Sequence, residues 1–214
     1  ADYSEATSST TTLSSMGSGV KLTGPSLSVL ADSSDTNFAH GIAGSGGLVS
    51  APFSEAKTVS TSQTRASTGS GDNVGGDGRK IDVDAFVMRS SYDGLFDAWM
   101  QSTNASLIGV SGAKATNSSS ATTSSTVGAN GYVEADSVSV QASNTVEKGG
   151  PGTTNLPGVT SVTGAAIAVP SWNVNSASGG LADVPAAEST TTITNDAQVQ
   201  VQAGAHLAHR DNLA

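Results

Sequence analysis

Residues 69–84, GSGDNVGGDGRKIDVD, gather Asp72, Asp77, Asp82 and Asp84 among glycines. Carboxylates on a glycine-rich loop suit calcium, which takes six to eight oxygen ligands. The segment GGDGRKIDV approximates the calcium-binding nonapeptide G-G-x-G-x-D-x-U-x, but Lys80 stands at its Asp position. The favoured reading is therefore a solvated turn leading into a strand with outward aspartates. Calcium is the one cofactor the sequence raises. His206 and His209, with Asp211 nearby, would meet at a metal on a helix, but in a strand they fall on opposite faces. Tyr92, Phe96, Trp99 and Trp172 are candidates for stacking on sugar rings. The competing reading is that they are buried, since aromatics bury large areas. Asp93 and Asp97, with the scattered Glu55, Glu134, Glu147 and Glu188, are the carboxylates a glycan-cleaving enzyme would need at a defined separation. There is no nucleophile motif, phosphate loop or Cys/His set, so the chain reads as a non-enzyme. The sequons at Asn104 and Asn117 read as incidental.

Whatever positions these groups has an unusual composition. Of 214 residues, 35 are Ser and 24 are Thr, while aromatics make up 4% and charged residues 13%. The charged share is about half the usual one, too low for a typical disordered segment. Few bulky residues are available for a thick core. Thr and Val favour pleated, half-buried surfaces. The net charge of −9 argues against nucleic acid and anionic membrane as partners. No apolar run reaches the length of a membrane span. With no cysteine the chain tolerates any redox compartment. Ala1 opens inside repeat-like sequence, with neither Met nor a signal-like run, which reads as part of a longer chain.

The elements repeat. The pattern apolar-x-apolar-x-Ala occurs at Leu27 (LSVLA), Ile81 (IDVDA), Val138 (VSVQA) and Val199 (VQVQA), so successive copies start 54, 57 and then 61 positions apart. The last register has a rival in AHLAH just downstream. Glycines and small residues then precede a polar alternating strand, and Lys57 and Lys114 share the spacing of 57. The approximate units are 1–19 (partial), 20–73, 74–130, 131–197 and 198–214 (partial), within one repeat-array segment. One face of the second strand reads Ala56, Thr58, Ser60, Ser62, Thr64, Ala66, and its later copy reads Ala113, Ala115, Asn117, Ser119, Ala121. A further copy reads Ala187, Ser189, Thr191, Ile193. Small inward residues predict a thin interior between two close sheets. In VEADSVSVQASN the alternation slips near Asp136 and Ser137, which predicts a break between two short strands.

Helical periodicity is confined to SSYDGLFDAWMQST, where Leu95, Phe96, Trp99 and Met100 share a helical face; part of this stretch reads as an insertion. A second insertion is KGGPGTTNLPGVTSVTG, rich in Gly and Pro. Short strands with Gly turns predict an all-β fold, a β-solenoid. Dividing each unit into three coils of about 19 residues would give about 11 coils, roughly 50 Å long. An array of β-sandwiches is the alternative, although about 57 residues is small beside an Ig-like domain of about 100.

Rungs of the type VEADSVSVQASN, a glycine-rich GSGGLVS or ASLIGVSGA, then an Ala/Ser/Thr strand ending in VGANG or TNDAQ, resemble the repeats of large secreted bacterial adhesins. These are the filamentous-haemagglutinin-like and leukotoxin-related exoproteins, and the resemblance spans essentially the whole chain. It implies a right-handed parallel β-helix, two-partner secretion to the bacterial cell surface or beyond, and a role in attachment, biofilm cohesion or filaments. Expected partners are neighbouring repeats, laterally associated copies, and a polysaccharide or host-surface ligand. A binding module and a β-helical polysaccharide lyase or hydrolase are the alternatives.

Overall fold

The computed structural model describes residues 2–71, 81–149 and 173–209. The described residues contain no helix and form eight strands in one sheet. These are β1 (Asp2–Ser15), β2 (Leu22–Ser50), β3 (Phe53–Ser67), β4 (Ile81–Val127), β5 (Tyr132–Lys148), β6 (Val174–Gly179), β7 (Ala182–Val201) and β8 (His206–His209). Every pairing is parallel. β1 joins β3 at a sequence offset of 52 (Asp2 beside Ser54), and β2 and β3 both join β4 at 59 (Leu22 beside Ile81, Phe53 beside Gly112). β4 joins β5 at 52 (Ile81 beside Val133). β6 and β7 join β4, and β8 joins β5, at 74 (Met100 beside Val174, Ile108 beside Ala182, Tyr132 beside His206). A parallel pair needs a long crossover, and here the crossover is the remainder of a unit.

Each unit therefore contributes one rung. The expected division of a unit into three short coils does not hold, because each strand runs much further than a short-coil solenoid allows. β4 alone is 47 residues long and doubles back on itself. Ser90 meets Ser125 at 3.0 Å across the interior, and Ser111 meets Ser176 at 2.8 Å. Ser176 is the rung partner of Ser102. Residues 81–104 thus form an outgoing wall, and residues 109–127 form the returning wall. At about 3.3 Å per residue each wall is roughly 65–80 Å long, while a rung is only about 4.8 Å high.

The offsets also locate the insertions. Between Phe96–Lys148 and Met100–Val174 the offset rises from 52 to 74, so the later rung is longer there by 22. The extra residues fall between Lys148 and Val174, the span that includes the Gly/Pro-rich segment, which beyond Gly149 lies outside the described residues. The stretch around Phe96 is no insertion: Ser91–Gln101 pair residue by residue with Asp32–Ile42. Nor is it a helix. Leu95 and Trp99 occupy one strand face and Phe96 and Met100 the other, a pattern that a four-residue spacing fits as well as a helix does. The register also shifts three assignments. Leu27 and Val138 lie beside Phe86, not in the column of Ile81. Lys114 pairs with Glu55, and Lys57 with Thr116. AHLAH, not VQVQA, continues the column of Ile81 and Val133, through Leu207.

The interior is as thin as the small inward residues require. Ala56, Thr58, Ser60, Ser62, Thr64 and Ala66 are all buried, as are Ala113, Ala115, Asn117, Ser119 and Ala121. The third copy, from Ala187, is exposed because β7 is an outer rung with no strand above it among the described residues. The alternation slips where expected, but without the expected break into two short strands: β5 runs unbroken from Tyr132 to Lys148. Val83 and Phe86, three apart, are both fully buried, and the slip runs through the column of Pro25, Asp84 and Asp136, which the ladder register skips. Pro25 lacks the donor a ladder needs, so an interruption is where it fits. At the corner between the returning wall and the next rung, Gly19, Asn130 and Gly204 have positive φ (68°, 56° and 72°), the conformation glycine and asparagine tolerate best.

Two apolar clusters occupy the interior. One joins Val29, Ile81, Val83, Phe86, Met88, Val127 and Val133 near that corner; the other joins Ala39, Ala56, Ala98, Met100, Ala113 and Ala115. Between them lies a polar girdle.

Candidate functional site

The girdle is built around Asp35 on β2. Its carboxylate accepts hydrogen bonds from Ser8 at 2.5 Å, Ser60 at 2.8 Å and the Tyr92 hydroxyl at 2.7 Å. Tyr92 and Ser60 are 3.0 Å apart, and the Asn37 amide donates to Ser8 at 2.7 Å. Thr58 donates to Asn117 at 2.7 Å, and the Asn144 amide donates to the carbonyls of Ala121 and Asp196 at 3.0 and 2.9 Å. Several rungs and both walls share these bonds, so the girdle fixes register as well as spacing. Burial pushes the Tyr92 phenol up to about 12. Tyr92 fits because Gly94, the rung partner of Asp35, has no side chain; a Cβ there would lie 2.6 Å from the Tyr92 hydroxyl oxygen.

This geometry decides the aromatic candidates. Tyr92 and Phe96 point inward, each 2% exposed, and offer no ring to a sugar. Trp99 faces outward yet is covered, packed against His40 one rung below with ring centroids 3.2 Å apart and the rings tilted by 32°. Burial lowers the His40 imidazole to about 4. Trp172 lies outside the described residues.

Beside this pair is a second outward group. Asp97 is 1% exposed, and the Lys148 ammonium reaches its carboxylate at 3.1 Å, the Asn173 side-chain carbonyl at 2.7 Å and the Gly149 carbonyl at 3.3 Å. Burial raises the Asp97 carboxyl, and Lys148 opposes that shift. Backbone bonds complete the clamp: the Gly149 amide donates to Phe96 at 2.8 Å, and the Met100 amide to Asn173 at 2.9 Å. Gly149 and Asn173, which flank residues 150–172, are therefore both held against β4.

The calcium segment is only partly placed. Asp72 and Asp77 lie outside the described residues. Asp82 and Asp84 sit two apart on β4, Asp84 exposed at the slip and Asp82 half-buried beside Thr23 and Glu134. Among the described residues no three His, Asp or Glu side chains are grouped to hold a metal ion. His206 lies against Tyr132 with centroids 5.7 Å apart, and in β8 His209 falls on the opposite face; Asp211 lies outside the described residues. Asp93 and Asp97 are four positions apart along one strand face, about 13 Å, beyond the separations used for glycoside cleavage. Both sequon asparagines are buried, Asn104 at 5% and Asn117 at 0%.

Other ion pairs run between rungs. Arg89 grips Asp32 with two hydrogen bonds, at 3.2 and 2.7 Å, and holds its carboxyl below the usual range; Lys57 meets Glu5 at 3.0 Å. The His40–Trp99 contact and the Asp97–Lys148 pair were missed from sequence. The signal for the first was the true offset between these rungs, which sets position 40 beside position 99 and which the averaged spacing obscured.

Comparison with known proteins returned no matching family model, no matching curated protein and no matching solved structure.

Proposed function

We propose that this chain is a structural and adhesive segment of a large extracellular bacterial surface or filament protein, built as a right-handed parallel β-helix of very long coils. The observation that carries this is the parallel register, which turns sequence repetition into stacked rungs. The hand follows from the strong right-handed preference of parallel crossovers. The outer rung supports the same reading. Val201 and Val199 on β7 are 51% and 48% exposed, while their partners one rung below, Val127 and Ser125, are fully buried. Positions buried in the middle of the stack and bare at its edge suit an array in which a further unit covers each rung. Partners are then neighbouring repeats and laterally associated copies, with a glycan or host surface as ligand.

One rung per unit changes the mechanics. Each long unit adds only about 4.8 Å of height, so the chain spends its length on breadth. The product is a stiff slab whose returning wall presents a wide Ser/Thr face (Thr116, Ser118, Ser120, Thr122 and Ser124 on β4), suited to cohesion between surfaces. Ladder bonds and nearest-neighbour stacking would hold it together.

The test is a tandem duplication of the segment. A stacked array predicts a higher melting temperature and a small-angle scattering envelope that thickens by about 4.8 Å per added rung. An array of independent domains would keep its melting temperature and lengthen by tens of ångströms per unit. Antibody labelling of intact source cells tests the surface location; labelling only after lysis would contradict it.

A further inference from the structure

A groove on the outer face of the returning wall provides a site that the buried aromatics do not. Phe53 opens β3, and its ring is half exposed. Its rung partners are Gly112 and then Ala186, so the column holds a large aromatic followed by almost no side chain. The ring leans over the Gly112 backbone, where a Cβ would lie 2.6 Å from the Phe53 Cδ2 atom. The space left above it is a groove of about 410 Å³, walled by Pro52 and Val110 on one side and by Lys114 and Glu188 on the other. That volume lies in the lower part of the usual range for small-ligand sites, about 300–1,000 Å³. Lys114 and Glu188 form a loose ion pair at 3.7 Å, with side chains 34% and 63% exposed, so donors and acceptors remain open at the rim.

We infer that this groove binds one pyranose unit of a neutral or amino-substituted glycan. An aromatic face carries negative charge and attracts the polarised C–H face of a sugar ring. The hydroxyls at the sugar's edge would meet Lys114 and Glu188. A purely apolar ligand would leave that charged rim unused. An anionic sugar would meet one lysine between two carboxylates, because Glu55 and Glu188 flank Lys114 in its column, on a chain of net charge −9. The chemistry therefore selects against uronates and sulfated glycans.

The probes are chitohexaose, cellohexaose, mannohexaose and an oligogalacturonate, titrated by calorimetry and ligand-observed NMR against the full chain. At least one of the first three should saturate with Kd on the order of 0.1–1 mM, and the oligogalacturonate should not. Phe53→Ala should weaken binding at least about tenfold through loss of the stacked ring. Ala186→Leu, at an exposed position, should fill the groove and weaken binding as much with the circular dichroism unchanged. If Phe53→Ala fails to fold, Ala186→Leu decides. The inference is overturned if no probe saturates by about 5 mM, if the oligogalacturonate binds best, or if Ala186→Leu binds normally. It is also overturned if Phe53→Ala converts a dimer in sedimentation to a monomer, since the groove would then hold a second copy.

Discussion

Replacing Tyr92 with Phe should cost stability at neutral pH and much less in alkali. The Tyr92 hydroxyl donates to Asp35 at 2.7 Å in the girdle. A bond to a charged group contributes about 1.5–3 kcal/mol, so the loss at pH 7 is about 1.5–3 kcal/mol. The phenol's ordinary value is 10.0, and burial pushes it up to about 12. The folded chain thus favours the neutral phenol. That contribution is fully present below pH 10 and is lost as pH rises from 10 through 12. Two pH units correspond to about 2.7 kcal/mol. Phe does not ionise, so Tyr92→Phe escapes this loss. The gap between wild type and variant, read from urea unfolding at pH 7, 10 and 12, should shrink from about 1.5–3 kcal/mol to nearly zero. A gap that stays constant across that range would refute the burial and bonding assigned to Tyr92.

Other perturbations follow from the same contacts. Gly94→Ala should destabilise by about 1–3 kcal/mol in urea unfolding, because its Cβ overlaps the Tyr92 ring and hydroxyl. Lys148→Met leaves the Asp97 carboxylate buried without its cation and should cost about 2–4 kcal/mol, with Asp97→Asn in the same chain recovering much of it; equal losses in single and double variants would contradict the pair. His40 is lowered to about 4 by burial, so the stability it contributes is complete above about pH 6.5 and declines as pH falls toward 4. The decline should reach at most roughly 3 kcal/mol, since the Trp99 ring favours the cation. His40→Gln should flatten that part of the pH profile.

The strands were legible in the sequence because alternation is a local signal. The inward faces from Ala56 and Ala113 and the slip near Asp136 could be read directly. The exact register could not. Insertions change the offset from 59 to 52 to 74 along the chain, and an averaged period of 57 misaligned Lys57 with Lys114. The coil size was also hidden, because strand periodicity states which face a residue occupies and nothing about how far the wall runs before it turns. The aromatic site was misread for a related reason. Position parity places Tyr92 inward only once the slip at Asp84 is counted, and Trp99 is covered by His40 from the rung below, far away in sequence. Phe53 drew no notice because its groove depends on Gly112 and Ala186, residues that signal nothing alone.

Each unit stacks on the next as one parallel rung, and paired cysteines can report that register because the chain has none of its own. Thr61 and Ser120 are exposed rung partners. Their separation across a parallel pair, about 4.8 Å, suits a disulfide, which needs roughly 4.4–6.8 Å between Cα atoms. Thr61→Cys with Ser120→Cys should cross-link completely under mild oxidation, while Thr61→Cys with Ser118→Cys, two positions out of register on the same face, should not. Cross-linking of the second pair in preference to the first would contradict the one-rung-per-unit register.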